Sequence, residues 1–438
     1  MLGGRGMYSR GTDAWDHLTM GESVGTLLEL DVTGIAHGGI SVARHEGRVV
    51  FVSDAIPGER VVARVTEDRK KSFWRADTVS VITPSEHRVD HVWPEAALER
   101  DPETRPGGAE FGHIALAHQR TLKHDVLVDS FARFARMDLA EVLGHDVVVE
   151  AAPGDDAANG LGWRTRVRLH VDEQGTAGPF AARSHSVIPV TGLPLATAVV
   201  QQSAPLGRGA LPGSSVIDVL APSGSEGARL VIDDQKPTVV TEVVGERTFQ
   251  VDDNGFWQVH RAAATVLTEA VQDLVDRDRL DPEGTHLDLY GGVGLLAAAL
   301  GDLVGPKARI TSVESAARAT EHAQENLSEW LGARAETGRV DRWLTNTVAN
   351  ASRAEKDRFR AGTIVLDPPR AGAGRDVVVQ IAALQPEQVV YVACDPVALA
   401  RDVATFADLG YRLEALRAFD LFPHTHHLEA VARLVPAR

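Results

Sequence analysis

The sequence predicts an α/β protein that opens on a small β-barrel, passes through a central α+β part and closes in a doubly wound, mostly parallel sheet. Three observations predict this. From about Phe256 onward, apolar runs of strand length alternate with runs of helical period. One of those strands ends in the glycine-rich turn Tyr290-Gly291-Gly292-Val293-Gly294, followed by an apolar helix, as in open α/β sheets whose ligand approaches the backbone. Between Gly25 and Val89, short strand-like runs are separated by Gly and Pro.

Composition bounds the rest. At roughly 100 to 200 residues per domain, 438 residues give two to four domains. The single cysteine, Cys394, excludes an internal disulfide, a four-thiolate zinc site and an iron–sulfur cluster held by this chain's own thiolates. A net charge of −16 opposes indiscriminate polyanion binding, so only a local cationic surface could hold nucleic acid. No stretch approaches the roughly 20 apolar residues of a spanning helix. The first residues lack the apolar core of a signal peptide, so a cytoplasmic location and no membrane partner are expected.

Residues 1–21 carry no apolar periodicity and read as a disordered leader, with Met20 a candidate start. The barrel is assigned to 22–89, from runs at Leu27 to Val32, Gly47 to Val52, Arg60 to Val65 and Ala76 to Val81. Between Glu59 and Arg75, six basic residues, Arg69, Lys70 and Lys71 among them, face three acids beside Phe73 and Trp74. A solvated hairpin and an RNA-facing patch both fit. Residues 90–255 form the central part, with a helix from about Ile114 to Arg136. In its strand from Trp163 to Val171, Arg164, Arg166 and Arg168 alternate with apolar residues, a stripe suited to a phosphate backbone or to solvent.

The last part, 256–438, holds a helix from His260 to Val275 and a strand from His286 to Tyr290. A second strand, Arg309 to Glu314, leads into a helix from Ala316 to Leu327. Strands Thr363 to Asp367 and Gln388 to Ala393 follow, then a helix from Pro396 to Ala407 and a closing edge hairpin of Leu413 to Phe422 with Leu428 to Val435. Four constellations lie here. Glu314 ends the strand after the glycine turn, where a carboxylate accepts ribose hydroxyls, so the pair indicates a nucleoside cofactor without choosing between NAD and S-adenosylmethionine. Asp367-Pro368-Pro369-Arg370-Ala371-Gly372 sits at a strand's C-terminal end, where such sheets bind ligands. Cys394 ends the next strand, and Pro396 can open the following helix, whose N–H groups would stabilise a thiolate. Phe419-Asp420-Leu421-Phe422-Pro423-His424-Thr425-His426-His427-Leu428-Glu429 carries histidines without metal-ligand spacing, so no metal is assigned, and a candidate base in Glu429.

Together these motifs resemble the S-adenosylmethionine-dependent RNA 5-methyluridine methyltransferases that carry an N-terminal TRAM domain. The resemblance implies a Rossmann-like class I methyltransferase domain at the C-terminus and an OB-like TRAM barrel in front. It makes Cys394 the nucleophile and Glu429 the base, and places Gln258, Tyr290, Glu314, Asn346 and Asp367 against S-adenosylmethionine. Uracil C5 needs activation by thiolate addition at C6, and a base must then remove the C5 proton, so one thiol and one carboxylate are the required groups. The implied partner is RNA, transfer or ribosomal, and the implied state a monomer. Many relatives bind an iron–sulfur cluster through a Gly-Gly-Cys where this chain has Gly107-Gly108-Ala109, so no cluster is expected. Ala393, Asp395, Ala398 and Leu295 also depart from the pattern. Two other readings stay open: a catalytically silent RNA-binding or chaperone relative, and an NAD-dependent oxidoreductase, which explains neither Cys394 nor the barrel.

Overall fold

The computed structural model describes residues 23–437 apart from Lys71, Arg183, Ala210 and Pro212. The expected leader with Met20 lies outside the described residues, as does Lys71. Strands β1 (Leu27–Ala36), β2 (Ile40–His45), β3 (Arg48–Ser53), β4 (Arg60–Lys70) and β5 (Phe73–Thr83) close into a barrel in the order β1-β2-β3-β5-β4. Alternation selects the interior: Leu28, Leu30, Val32, Val50, Val52, Val61, Ala63 and Val65 point inward. The sequence showed four of the five strands. It missed β2, whose Arg44 and His45 break its short apolar alternation.

Beyond the barrel come α1 (Leu116–Ser130), α2 (Leu139–Leu143) and the short strand β6 (Val149–Ala151). The helix expected to reach Arg136 ends in a π turn over 131–135, because Arg136 takes a left-handed conformation at φ 56°. A five-stranded sheet follows from β7 (Arg166–Val171), β8 (Thr176–Gly178), β9 (Gly207–Arg208), β10 (Val216–Leu220) and β11 (Arg229–Ile232), with α3 (Ala198–Ser203) before β9. The hairpin of β12 (Val239–Val244) and β13 (Arg247–Asp252) completes this part. Ala109 is buried in one apolar cluster with Trp93, Trp163 and Leu193. Nearby, the buried Arg105 guanidinium donates to Asp54 at 2.7 Å and to the carbonyls of Leu98 and Thr78.

The C-terminal part contains α4 (Ala263–Leu274), β14 (Thr285–Leu289), α5 (Leu295–Val304), β15 (Arg309–Glu314), α6 (Ala317–Asn326), β16 (Arg334–Thr337), α7 (Val340–Asn350), α8 (Arg353–Arg360), β17 (Thr363–Leu366), α9 (Arg375–Leu384), β18 (Gln388–Ala393), α10 (Pro396–Asp408), β19 (Tyr411–Asp420) and β20 (Glu429–Pro436). The sheet order is β16-β15-β14-β17-β18-β20-β19-β6, parallel through β18, with β20 antiparallel to both of its neighbours. Every residue of β17 and β18 is buried, as expected for parallel strands covered by helices on both faces. The expected edge hairpin is corrected here. β20 inserts between β18 and β19, and β6, from far upstream, pairs in parallel with β19 and takes the edge. Strand order reverses between β14 and β17, and that switch point, with the neighbouring strand ends, opens the crevice described next.

Candidate active site

A cavity of about 1370 Å³ lies over the C-terminal ends of β14, β15, β17 and β18. Its floor is the glycine turn. Asp288 in β14 is fully buried, and its carboxyl accepts from Ala297 N at 3.1 Å and Ser312 Oγ at 3.2 Å. Position 291 must be glycine, since a Cβ there would stand 2.0 Å from Ser312 Oγ. The turn is thus pressed onto the strand ends, and Tyr290, in the left-handed region at φ 63°, faces the cavity. Glu314 at the end of β15 also lines it. Its carboxylate accepts from Gly292 N at 3.2 Å and Ala316 N at 2.8 Å, which fixes it beside the glycine turn.

Gln258 and Asp367 line the same cavity, so four of the five expected cofactor residues meet there. Asn346 does not. It lies on an exposed face of α7, where its Oδ1 accepts from Asn350 Nδ2 at 2.7 Å. Asp341, at the N-terminal end of that helix, lines the cavity instead, held by Arg339 at 2.8 Å. Sequence reading missed it because β16 and α7 were not recognised and the helix start was left unplaced. An Asp one residue into a helix, where carboxylates are favoured, was the available signal.

Cys394 and Glu429 meet across two strands. β18 pairs with β20 in the register Ala393↔Ala430, so the next residues outward, Cys394 and Glu429, are cross-strand neighbours at the cavity rim. Burial, reinforced by the Glu429 and Asp367 charges and only partly offset by Arg370, pushes the thiol up to about 12. The expected stabilisation of a thiolate by the helix terminus is therefore outweighed in the ligand-free site. Burial and Asp367 hold Glu429 well above the usual carboxylate range, and burial with Asp288 lifts Asp367 to about 7. Burial thus favours the protonated form at each of these three rim groups.

Two further residues shape the rim. Tyr391 OH donates to Asp402 Oδ2 at 2.6 Å, and the same oxygen accepts from Ala373 N at 2.8 Å and Gly374 N at 3.2 Å, pinning the loop after Asp-Pro-Pro-Arg to α10. Asp402, a polar residue on an otherwise apolar helix face, gave no sign of this in the sequence. Arg370 Nη2 stands 3.2 Å from His427 Nε2. His424 is structural: its backbone N donates to Gln119 Oε1 at 2.7 Å and its ring bonds the Asn159 carbonyl at 2.8 Å. Among the described residues no group of three or more His, Cys, Asp or Glu is placed to hold a metal.

The expected stripe of Arg164, Arg166 and Arg168 is not one open cationic face. Arg168 forms a bidentate pair with Asp218 at 2.8 and 2.7 Å. Arg166 is half-buried, donating to the Gly255 carbonyl at 2.6 Å and facing Glu242. Arg164 precedes β7, packs over Trp163 and lines the cavity. On the barrel, Arg60, Arg64 and Arg75 are paired with Glu29, Asp101 and Glu67. Arg69 and Lys70 are exposed at the hairpin, with Lys70 over Phe73 and Arg48 over Trp74 at 4.4 Å.

Counted from β14, the strand order 3-2-1-4-5-7-6, with a cavity large enough for a nucleoside cofactor at the switch point and an acid ending the second strand, defines a class I S-adenosylmethionine-dependent methyltransferase. The tRNA (uracil-5-)-methyltransferase family matches residues 216–435, and the TRAM domain matches residues 22–73. An uncharacterized RNA methyltransferase of Streptomyces coelicolor is 38% identical, with 94% of each chain covered. A 23S rRNA (uracil(1939)-C(5))-methyltransferase of Shewanella sediminis is 27% identical over 92% of this chain and 95% of its own. The crystal structure of the Pyrococcus abyssi tRNA (uracil-54, C5)-methyltransferase in complex with S-adenosyl-L-homocysteine has the same fold. Its TM-score is 0.66 at 19% identity, covering 93% of this chain and 100% of that one. The chain belongs to the uracil-5 RNA methyltransferase family and is an RNA methyltransferase, which sets the oxidoreductase reading aside.

Proposed function

We propose that this enzyme methylates C5 of a uridine in transfer or ribosomal RNA, with Cys394 as nucleophile and Glu429 as base. The observation that carries the reading is their cross-strand pairing at the rim of the large cavity. Gln258, Tyr290, Glu314 and Asp367, with Asp341 in place of Asn346, form the walls for S-adenosylmethionine, which supplies an electrophilic methyl group when bound. The Cys394 thiol passes its proton to an ionised rim carboxylate such as Asp367, and the thiolate adds to C6, making C5 nucleophilic. After methyl transfer, the Glu429 carboxylate takes the C5 proton, and elimination restores the thiol and the aromatic base. Burial raises the Glu429 carboxyl above the usual carboxylate range, which makes its carboxylate a stronger base for this proton. A base in folded RNA must be turned out of its stack to reach the rim. The barrel, with Arg69 and Lys70 beside Phe73 and Trp74, would track the strand, and Arg164 would face it from the cavity wall.

The protein is read as a cytoplasmic monomer without an iron–sulfur cluster, its central part held by the Trp93, Ala109 and Trp163 packing and by Arg105. RNA containing 5-fluorouridine tests the chemistry, since C5 then carries no removable proton and the thioether persists. The wild type should form a covalent adduct that Cys394→Ala abolishes while binding S-adenosylhomocysteine with unchanged affinity. No adduct with any cellular RNA would overturn the mechanism in favour of a silent RNA-binding relative. Mapping 5-methyluridine in total RNA after gene deletion assigns the substrate.

A further inference from the structure

The turn between β1 and β2 reaches out of the barrel into the rim of the methyltransferase cavity. Gly38 and Gly39 both have positive φ, at 83° and 69°. A Cβ on Gly39 would stand 2.2 Å from His426 Cβ and 2.9 Å from the Phe111 ring, so the turn is seated directly on the histidine loop. A small apolar cluster of Ile56, Phe111, Ile114 and Leu122, with Ile35 beside it, docks the barrel there. Between turn and loop lies a separate cavity of about 200 Å³, lined by His37, Arg370, Cys394 and Asp395 among others, so Cys394 is reached from the barrel side as well as from the cofactor side.

One carboxylate joins the two parts. Asp395 follows the thiol residue and caps α10, its Oδ1 accepting from Ala398 N at 2.8 Å. Its Oδ2 lies 2.6 Å from His37 Nε2. The hydrogen bond to Asp395 raises the His37 imidazole above its ordinary value against the opposing effect of burial. Arg401 on α10 acts in the lowering direction, and Arg370, Lys123, His426 and His427 line the other walls of the small cavity.

We propose that His37 is a positioning residue for the methyl-transfer reaction: through Asp395 the barrel sets the start of α10, and with it the Cys394 side chain, in the attacking orientation. Burial favours the protonated thiol, so thiolate formation depends on alignment with the helix terminus, and the cap that sets this alignment is anchored from the barrel. Docking of the barrel then becomes a condition for a competent nucleophile as well as for RNA capture. The inference rests on the reading of Cys394 as nucleophile.

The test uses the full chain, labelled S-adenosylmethionine and total RNA from a strain lacking the gene. His37→Ala should lower kcat by about tenfold, within the range that small misplacements of reacting groups produce. S-adenosylhomocysteine affinity, KM for RNA and the melting temperature should stay at wild-type values. His37→Gln, whose amide Nε2 can stand where the imidazole Nε2 stands, should recover to within about threefold of wild type, as expected when donor geometry rather than bulk is at issue. Asp395→Asn keeps the helix cap, and adding His37→Ala to it should cost little more, since both changes act on one contact. Wild-type kcat in His37→Ala, a change confined to KM for RNA, or full additivity with Asp395→Asn would each overturn the proposal. If the wild type itself transfers no methyl group to any RNA, the methyltransferase reading fails first and this inference goes with it.

Discussion

Asp288 within β14 and Asp367 just past β17 lie on neighbouring strands with their carboxyls buried, and burial lifts both to about 7 from an ordinary 3.8. The folded ligand-free protein therefore holds protons that the unfolded chain has released between pH 3.8 and about 7. Stability contributed by these groups is present at the acid end of that window and lost as pH rises through it, by up to about 1.4 kcal/mol per pH unit for each fully shifted group. The melting temperature of the ligand-free enzyme should fall from pH 5 to pH 8, and Asp288→Asn should flatten the slope while its Oδ1 still accepts from Ala297 N. A slope unaltered by this change would place the protons elsewhere. Glu429 acts later in the proposed sequence, after the methyl group has arrived at C5. Glu429→Gln should therefore form the Cys394 thioether with natural uridine and fail to resolve it, so that a methylated RNA–protein adduct accumulates on a denaturing gel. Free methylated RNA released at the wild-type rate would remove Glu429 from the role of base.

At the scale of elements, the buried pair of Lys123 on α1 and Asp420 at the end of β19 holds the loop that leads to Glu429, with Nζ and Oδ1 2.5 Å apart. Both side chains are almost wholly out of water. Removing the lysine leaves a buried carboxylate without its counter-charge, a loss of about 3 to 5 kcal/mol. Lys123→Met should lower unfolding stability in denaturant by that order, and the double change Lys123→Met with Asp420→Leu should recover much of it. The sequence made some elements legible and hid others for physical reasons. β17 and β18 stood out because parallel strands buried on both faces are near-continuous apolar runs, β14 because the glycine turn follows it, and α10 because Pro396 marks its start. β16 was hidden because an edge strand of Arg-Ala-Glu-Thr has no apolar run, and Asn346 was misplaced with it. The place of β20 could not be read, since local periodicity shows that a hairpin exists but not that its second strand inserts between β18 and β19 or that β6 covers the edge. Cys394, Glu429 and Glu314 were legible because each falls at a strand terminus of recognisable pattern. Asp402 and His37 were not, because their partners lie on a loop and in another part of the chain.

For the whole molecule, a net charge of −16 and an RNA substrate are reconciled only by where the unpaired cations sit. The counted basic residues overstate the cationic surface: Arg60, Arg64, Arg75 and Arg168 are each neutralised by a carboxylate within 3.5 Å. Among the described residues of the barrel hairpin, Arg69 and Lys70 form no ion pair, and Lys70 stands over Phe73, which packs edge-on against Phe51. RNA binding should accordingly have few phosphate contacts, a shallow salt dependence and a large contribution from base stacking. Replacing both Arg69 and Lys70 by Ala should reduce the slope of log K against log salt concentration by about 1.4 to 1.8, the value for two lost phosphate contacts. Arg168→Ala, which removes a guanidinium already held by Asp218, should leave that slope unaltered. Phe73→Ala should weaken binding by about 1 to 3 kcal/mol with no change in slope, because stacking releases no counterions. Titrations of the mapped RNA at several salt concentrations separate the three outcomes. A slope that responds to Arg168 and not to Arg69 and Lys70 would move the RNA path from the barrel to the central sheet.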